Sequence, residues 1–234
     1  MPRRTLMIPL AILSLILVAV AALYTAYAHE MESTRARLEE ESMLATSSSG
    51  PIEYAKAGSG PAVLAVHGAG GGYDQGMLLA QAFIGDGFQR IAPSRFGYLR
   101  SPLPQDASTA AQADAFAALL DTLGIDRVAL VAISGGVPPA LQFAARYPER
   151  TSALVLLSSA PHTPYALADQ GLPVPAWLYQ ALFSSDFPYW LLSKIARPAL
   201  EGIYDVRADL REGMSDKDRR FVAGMVDAFQ PVTQ

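Results

Sequence analysis

Three runs in this chain, AVLAVHG at 62–68, RVALVAI at 127–133 and SALVLLSS at 152–159, carry apolar residues at successive positions rather than alternate ones. A strand with one wet face alternates; a continuous apolar run predicts a strand buried on both faces. Such strands must be covered by helices, and helical segments lie between them. DQGMLLAQAFIGDG closes on glycine, residues 106–124 open on Ser/Thr and end at Gly124, and residues 138–148 begin with proline in the first turn. QRIAPS adds a short strand, and IEYAKAG an edge strand or hairpin arm. The alternation predicts an α/β fold, a mostly parallel sheet with helices on both faces, whose reactive ends are the carboxyl ends of the strands.

Ahead of this domain, Arg3 and Arg4 precede 23 uncharged residues, Leu6 to Ala28. As a helix these span roughly 35 Å, enough to cross a hydrocarbon core. Residues 1–28 are therefore expected to be a transmembrane signal anchor, with the arginines cytoplasmic and the domain extracytoplasmic. The alternative is a signal peptide cleaved after Ala-Tyr-Ala at 26–28, leaving a secreted or periplasmic protein. Residues 29–50, charge-rich and ending in Ser and Gly, read as a solvated stalk and flexible joint, residues 51–160 as the core, and 161–234 as a helical, lid-like region.

Composition narrows the chemistry. There is no cysteine, which excludes disulfides and thiol catalysis. The three histidines, His29, His67 and His162, match no metal-ligand spacing, and the net charge of −4 with no basic block gives no sign of nucleic acid. No metal or organic cofactor is expected.

Ser134 ends one of the buried runs just before a helix. A chain that turns so sharply strains the serine backbone and needs small neighbours two positions away on either side; Ala132 and Gly136 supply them. The turn would lift the hydroxyl clear of the sheet and aim the Gly135 N–H and the start of the helix at the same point. The bland alternative is a helix-capping serine in a dinucleotide-type turn, but the Gly-rich turn and acidic residue which that fold wants are not apparent. HGAGGG at 67–72 ends an earlier run.

These segments resemble the nucleophile elbow and the His-Gly-x-Gly loop of the α/β-hydrolase superfamily, with Ala132 in place of the usual first glycine. The resemblance covers about residues 51–230. It implies a serine hydrolase of esterase type: Ser134 as nucleophile, the N–H groups of Gly135 and Ala69 as oxyanion donors, and His67 as a structural residue of the loop. SRFGYLRSP at 94–102 would border the pocket or be a plain surface turn. A serine at the elbow argues against relatives that open epoxides.

The order in that superfamily is Ser, then Asp or Glu, then His. His162 is the only histidine after Ser134 and does not match the position of the base. Asp169, Asp186, Asp205, Asp209, Asp216, Asp218 and Asp227 all fall in the lid-like stretch, none after a strand. The expectation is a membrane-tethered hydrolase of a small, apolar, ester-like substrate, cut short before its acid and base and inactive in this form. The alternative is a non-catalytic membrane-anchored binding protein with a hydrolase-like pocket.

Overall fold

The computed structural model describes residues 2–159, 175–203 and 206–231. Six strands form one sheet: β1 (Met43–Ser47), β2 (Gly50–Ala57), β3 (Ala62–Val66), β4 (Gln89–Pro93), β5 (Val128–Ile133) and β6 (Thr151–Leu157), in the order β1-β2-β4-β3-β5-β6. β3 pairs in parallel with β4 and β5, and β5 with β6; β1 and β2 form an antiparallel hairpin on the β4 side. The expected mostly parallel sheet is present.

Both faces are covered, and the continuous apolar runs are the reason. Leu64, Val66, Leu130 and Ala132 pack against α3 (Thr109–Thr122) and α4 (Val137–Arg146). Val63 and Val131 on the opposite face meet Leu79 of α2 (Tyr73–Phe83), and Ala65 and Ala92 meet Tyr73 and Ala80 of the same helix. Neighbouring residues of one strand thus serve two different cores, which polar alternation would forbid.

The Ser/Gly run expected as a flexible joint is instead a hairpin. Gly50 takes φ +98, and Ser47 Oγ donates to Gly50 O at 2.7 Å while accepting from Ser49 N at 3.1 Å. The turn is held by side chain–backbone bonds, so residues 43–47 join the sheet rather than a linker.

α1 (Pro2–Glu40) is long and apolar enough, from Pro9 on, to cross a membrane. Its side chains at 9–26 are all exposed, whereas Met31 and Leu38 are buried at 2% and 3% exposure. The upper half therefore stands free of the domain and the lower half is packed on it. Beyond the sheet lie α5 (Ala176–Phe183), α6 (Asp186–Ile195), α7 (Arg197–Ile203), α8 (Ala208–Gly213) and α9 (Asp216–Asp227). Leu182, Tyr189, Leu200 and Val226 give this helical region a small core of its own. His162, Asp169 and Asp205 lie outside the described residues.

Candidate active site

β5 ends in extended conformation at Ile133, Ser134 takes φ +48, and a single 3₁₀ turn, Ser134–Gly136, leads into α4. A left-handed non-glycine residue costs about 1–2 kcal/mol, so packing must impose it. The packing is visible at Gly136, where a Cβ would lie 2.4 Å from His67 O and 2.7 Å from Val66 O. The start of α4 thus presses on the end of β3, and only a residue without a side chain fits. Ala132 is fully buried on the strand side.

The loop after β3 runs beneath this corner. A Cβ on Gly68 would sit 3.3 Å from Ser134 Cβ, and one on Gly135 would sit 3.4 Å from Ala69 N and 3.5 Å from Arg95 Nη2. Three carboxyl-terminal strand loops, after β3, β4 and β5, therefore meet around Ser134. Ser134, Gly135 and Ala69 are brought together.

The Gly68–Ala69 peptide is clamped. Gly68 O accepts from His67 Nδ1 at 2.9 Å and from Arg95 Nη2 at 2.7 Å, while Gly68 N donates to Gln75 Oε1 at 2.8 Å. Since C=O and N–H of a trans peptide point in opposite directions, holding the carbonyl fixes the direction of the Ala69 N–H. His67 Nε2 accepts the Arg95 backbone N–H at 2.9 Å, which assigns the proton to Nδ1 and leaves neither ring nitrogen free. Complete burial, with Arg95 beside it, holds the His67 imidazole well below its usual pKa, in the neutral form. His67 is a loop-holding residue and cannot take a proton from Ser134.

Arg95 lies in the SRFGYLRSP loop, whose border position the sequence left open against a surface turn. Burial lowers its pKa from the usual guanidinium value. Among the described residues no carboxylate pairs with it; its guanidinium carbon lies 4.7 Å from the centroid of the Tyr98 ring. Tyr98 in turn sets its ring edge-on to His67 at 4.8 Å. The same loop is pinned by buried Glu53, which accepts from Ser94 Oγ at 2.9 Å, Arg100 N at 3.1 Å and Arg100 Nε at 2.8 Å, and from Ser42 Oγ at the foot of α1 at 2.7 Å. On the other side of the glycine loop, a Cβ on Gly70 would run into the Phe229 ring.

Of the candidate acids that are described, Asp186 is engaged by Arg35, Asp209 by Arg207 and Asp227 by Arg197, and Asp218 caps α9. His29 lies on α1 and is exposed. Asp216 stands in the first turn of α9, and among the described residues no hydrogen bond joins Ser134 to an Asp, Glu or His side chain. Among the described residues there is also no group of three or more His, Asp and Glu suited to a metal ion. Two cavities of about 400 and 450 Å³ open beside the lower half of α1; neither is lined by Ser134. The first is lined by Asp74, whose carboxyl is pushed up to about 6 by burial. Arg95 and Gln75 are the site residues that sequence reasoning missed: neither residue type in a loop or helix start signals a clamp on the glycine loop after β3.

A family described as alpha/beta hydrolase fold matches residues 61–231. The uncharacterized hydrolase YcgS of Bacillus subtilis is 33% identical over 145 residues, 58% of this chain and 50% of that protein. A 2-hydroxy-6-oxo-6-phenylhexa-2,4-dienoate hydrolase of Burkholderia cepacia is 35% identical over 111 residues, 45% of this chain and 39% of that protein. The chain thus spans half or less of the length of these curated relatives. Among solved structures, an alpha/beta hydrolase fold protein from Nakamurella multipartita superposes with a TM-score of 0.64 at 26% identity, over 80% of this chain and 68% of that one.

Proposed function

This chain belongs to the alpha/beta hydrolase family, and from that premise we propose that it is a membrane-tethered serine hydrolase of carboxylic-ester-like substrates. The observation that carries the reading is Ser134 at φ +48, facing a peptide whose carbonyl is held from behind by His67 and Arg95. Ser134 Oγ attacks the ester carbonyl; its proton leaves through a base, the tetrahedral oxyanion collapses, and the alcohol departs protonated. Water then cleaves the acyl-enzyme and returns the serine. The N–H groups of Gly135 and Ala69 receive the oxyanion; one such donor contributes about 3–4 kcal/mol to the transition state.

Both ring nitrogens of His67 are engaged, so the base of this mechanism is a group other than His67. This same observation favours the second reading, a binding protein that holds an ester-like ligand without turnover. The Burkholderia relative named for a dienoate substrate adds carbon–carbon bond hydrolysis to the reactions that a serine at this corner could serve.

Tethering is supported by α1. Its exposed residues 9–26 extend about 27 Å, close to the ~30 Å of a hydrocarbon core, and none of the other described residues covers them. Secretion after signal cleavage is the alternative, and the lower half of α1 then remains packed on the domain alone.

The test is a fluorophosphonate probe applied to the purified chain in detergent, with Ser134→Ala as the comparison. Peptide mapping is expected to find the phosphonyl group on Ser134. A folded native protein whose Ser134 stays unlabelled overturns the acyl-enzyme mechanism and leaves the binding reading.

A further inference from the structure

The helix that would cross the membrane and the helical region over the site are fastened together between Tyr27 and Arg35 of α1. Tyr27, the first residue of α1 past the wholly exposed stretch, sets its ring against Phe187 at 5.2 Å and Trp190 at 5.4 Å, both on α6. One turn further along α1, Glu30 receives Lys194 Nζ at 2.6 Å, and Arg35 pairs with the buried Asp186. The four partners, 186, 187, 190 and 194, fall on one face of α6, and that face is turned toward α1. Tyr24, one turn earlier on α1, sets its ring tilted against Tyr27 at 5.9 Å.

Reading residues 9–26 as the membrane span places Tyr27, and with it α6, at the boundary between hydrocarbon and headgroups. Tyr and Trp concentrate there because their rings are apolar at one end and polar at the other. α5 and α6 carry large apolar side chains that no part of the described chain covers: Trp177 is 71% exposed on α5, which packs on α6, and Ile195 is 73% exposed at the end of α6. A helix is about 10 Å across, and an interfacial helix sinks its apolar face roughly 5–10 Å into the headgroup–acyl boundary, so side chains of this helix pair are within reach of lipid.

We propose that α5 and α6 rest on the bilayer surface, held there by the Tyr27–Phe187–Trp190 contact, with Trp177 and Ile195 in the headgroup–acyl boundary. The partner of this face is a lipid surface. The inference rests on the tethering reading given above. It follows that the helical region over the site faces the membrane and that an apolar substrate can pass to it along that surface rather than through bulk water.

The chain has two tryptophans, so each can be observed alone. Full-length protein carrying Trp190→Phe, which leaves Trp177, is reconstituted into phosphatidylcholine vesicles. Trp177 is expected to be quenched by lipid brominated in the upper acyl chain, and to be quenched by aqueous iodide several-fold less than free N-acetyltryptophanamide. Trp177→Phe, which leaves Trp190 at 3% exposure, is expected to be quenched less by bromolipid than Trp177 is, and little by iodide; circular dichroism confirms that both variants fold. Retention on the vesicles after carbonate washing reads the tether separately. Protein lost in that wash overturns tethering and this inference with it. Protein retained but with Trp177 open to iodide and untouched by bromolipid overturns this inference alone.

Discussion

Arg95 Nη2 donates to Gly68 O at 2.7 Å, and the peptide that carries this carbonyl also carries the Ala69 N–H. A charged donor on the carbonyl both fixes and polarises the amide on its other side. In the proposed mechanism Arg95 would act on the oxyanion through another group, as a positioning residue. Arg95→Gln removes the charge, and a hydrogen bond to a charged group contributes about 1.5–3 kcal/mol, or roughly ten- to a hundredfold in rate. The fluorophosphonate labelling rate of Ser134 is expected to fall by that factor, with Arg95→Lys restoring part of it. Melting temperatures measured alongside separate this from unfolding; equal labelling rates in all three proteins would show that the clamp does not matter.

Two glycine-to-alanine changes should act in opposite directions. At Gly136 the new Cβ meets two backbone oxygens, at 2.4 and 2.7 Å, and the turn must deform or open. The expected cost is about 2–4 kcal/mol, as for other overpacked sites. Gly213 ends α8 with nothing within 4 Å of the added atom. There the only effect is the smaller entropy of the unfolded chain, and Gly213→Ala is expected to be neutral or to stabilise by up to about 1 kcal/mol. Urea denaturation of the two variants decides it.

Asp74 gives a pH dependence whose sign is fixed by burial. Its carboxyl titrates near 6 in the folded chain against 3.8 as the ordinary value, so between these the folded state holds the proton that the unfolded state has lost. Stability from this group is therefore full below about 3.8 and is lost as pH rises through about 6. Asp74→Asn keeps an oxygen for the Gly72 N–H and removes the charge. It is expected to raise the melting temperature at about pH 8 and to leave it unchanged at about pH 4. An equal shift at both pH values would contradict the titration.

The legible part of this fold is the part governed by local spacing. The runs at 62–66 and 128–133 could only be strands covered on both sides, and the structure divides their residues between two cores as that requires. The corner at Ser134 was legible because Ala132 and Gly136 have no other reason to flank a serine between strand and helix. What the sequence concealed depends on partners distant in the chain. Met43–Ser47 lacks a strand-like pattern and is ordered by pairing with β2. The charges of the stalk looked like a solvated face, yet Glu30 and Arg35 bind residues 164 and 151 positions away. Arg95 sits in a loop full of turn formers, and only the fold brings it against Gly68.

His67 allows the clamp to be distinguished from catalysis. A buried imidazole that stays neutral favours the folded state above about 6.5, and that stability is lost as pH falls below it, because the unfolded chain then takes up a proton and the folded chain does not. His67→Asn keeps an N–H near the position of Nδ1 to hold Gly68 O but does not accept the Arg95 N–H at the position of Nε2. Leaving that donor unpaired costs about 1–3 kcal/mol. The variant is expected to be less stable, with a shallower loss of melting temperature between about pH 7 and 5, and to keep a measurable fraction of Ser134 labelling. His67→Leu, which supplies no donor to Gly68 O, is expected to label more slowly than the asparagine variant at the same fraction folded. Were His67 the base, both variants would abolish labelling alike; a graded loss that follows the hydrogen bond to Gly68 O marks it as a support for the oxyanion peptide.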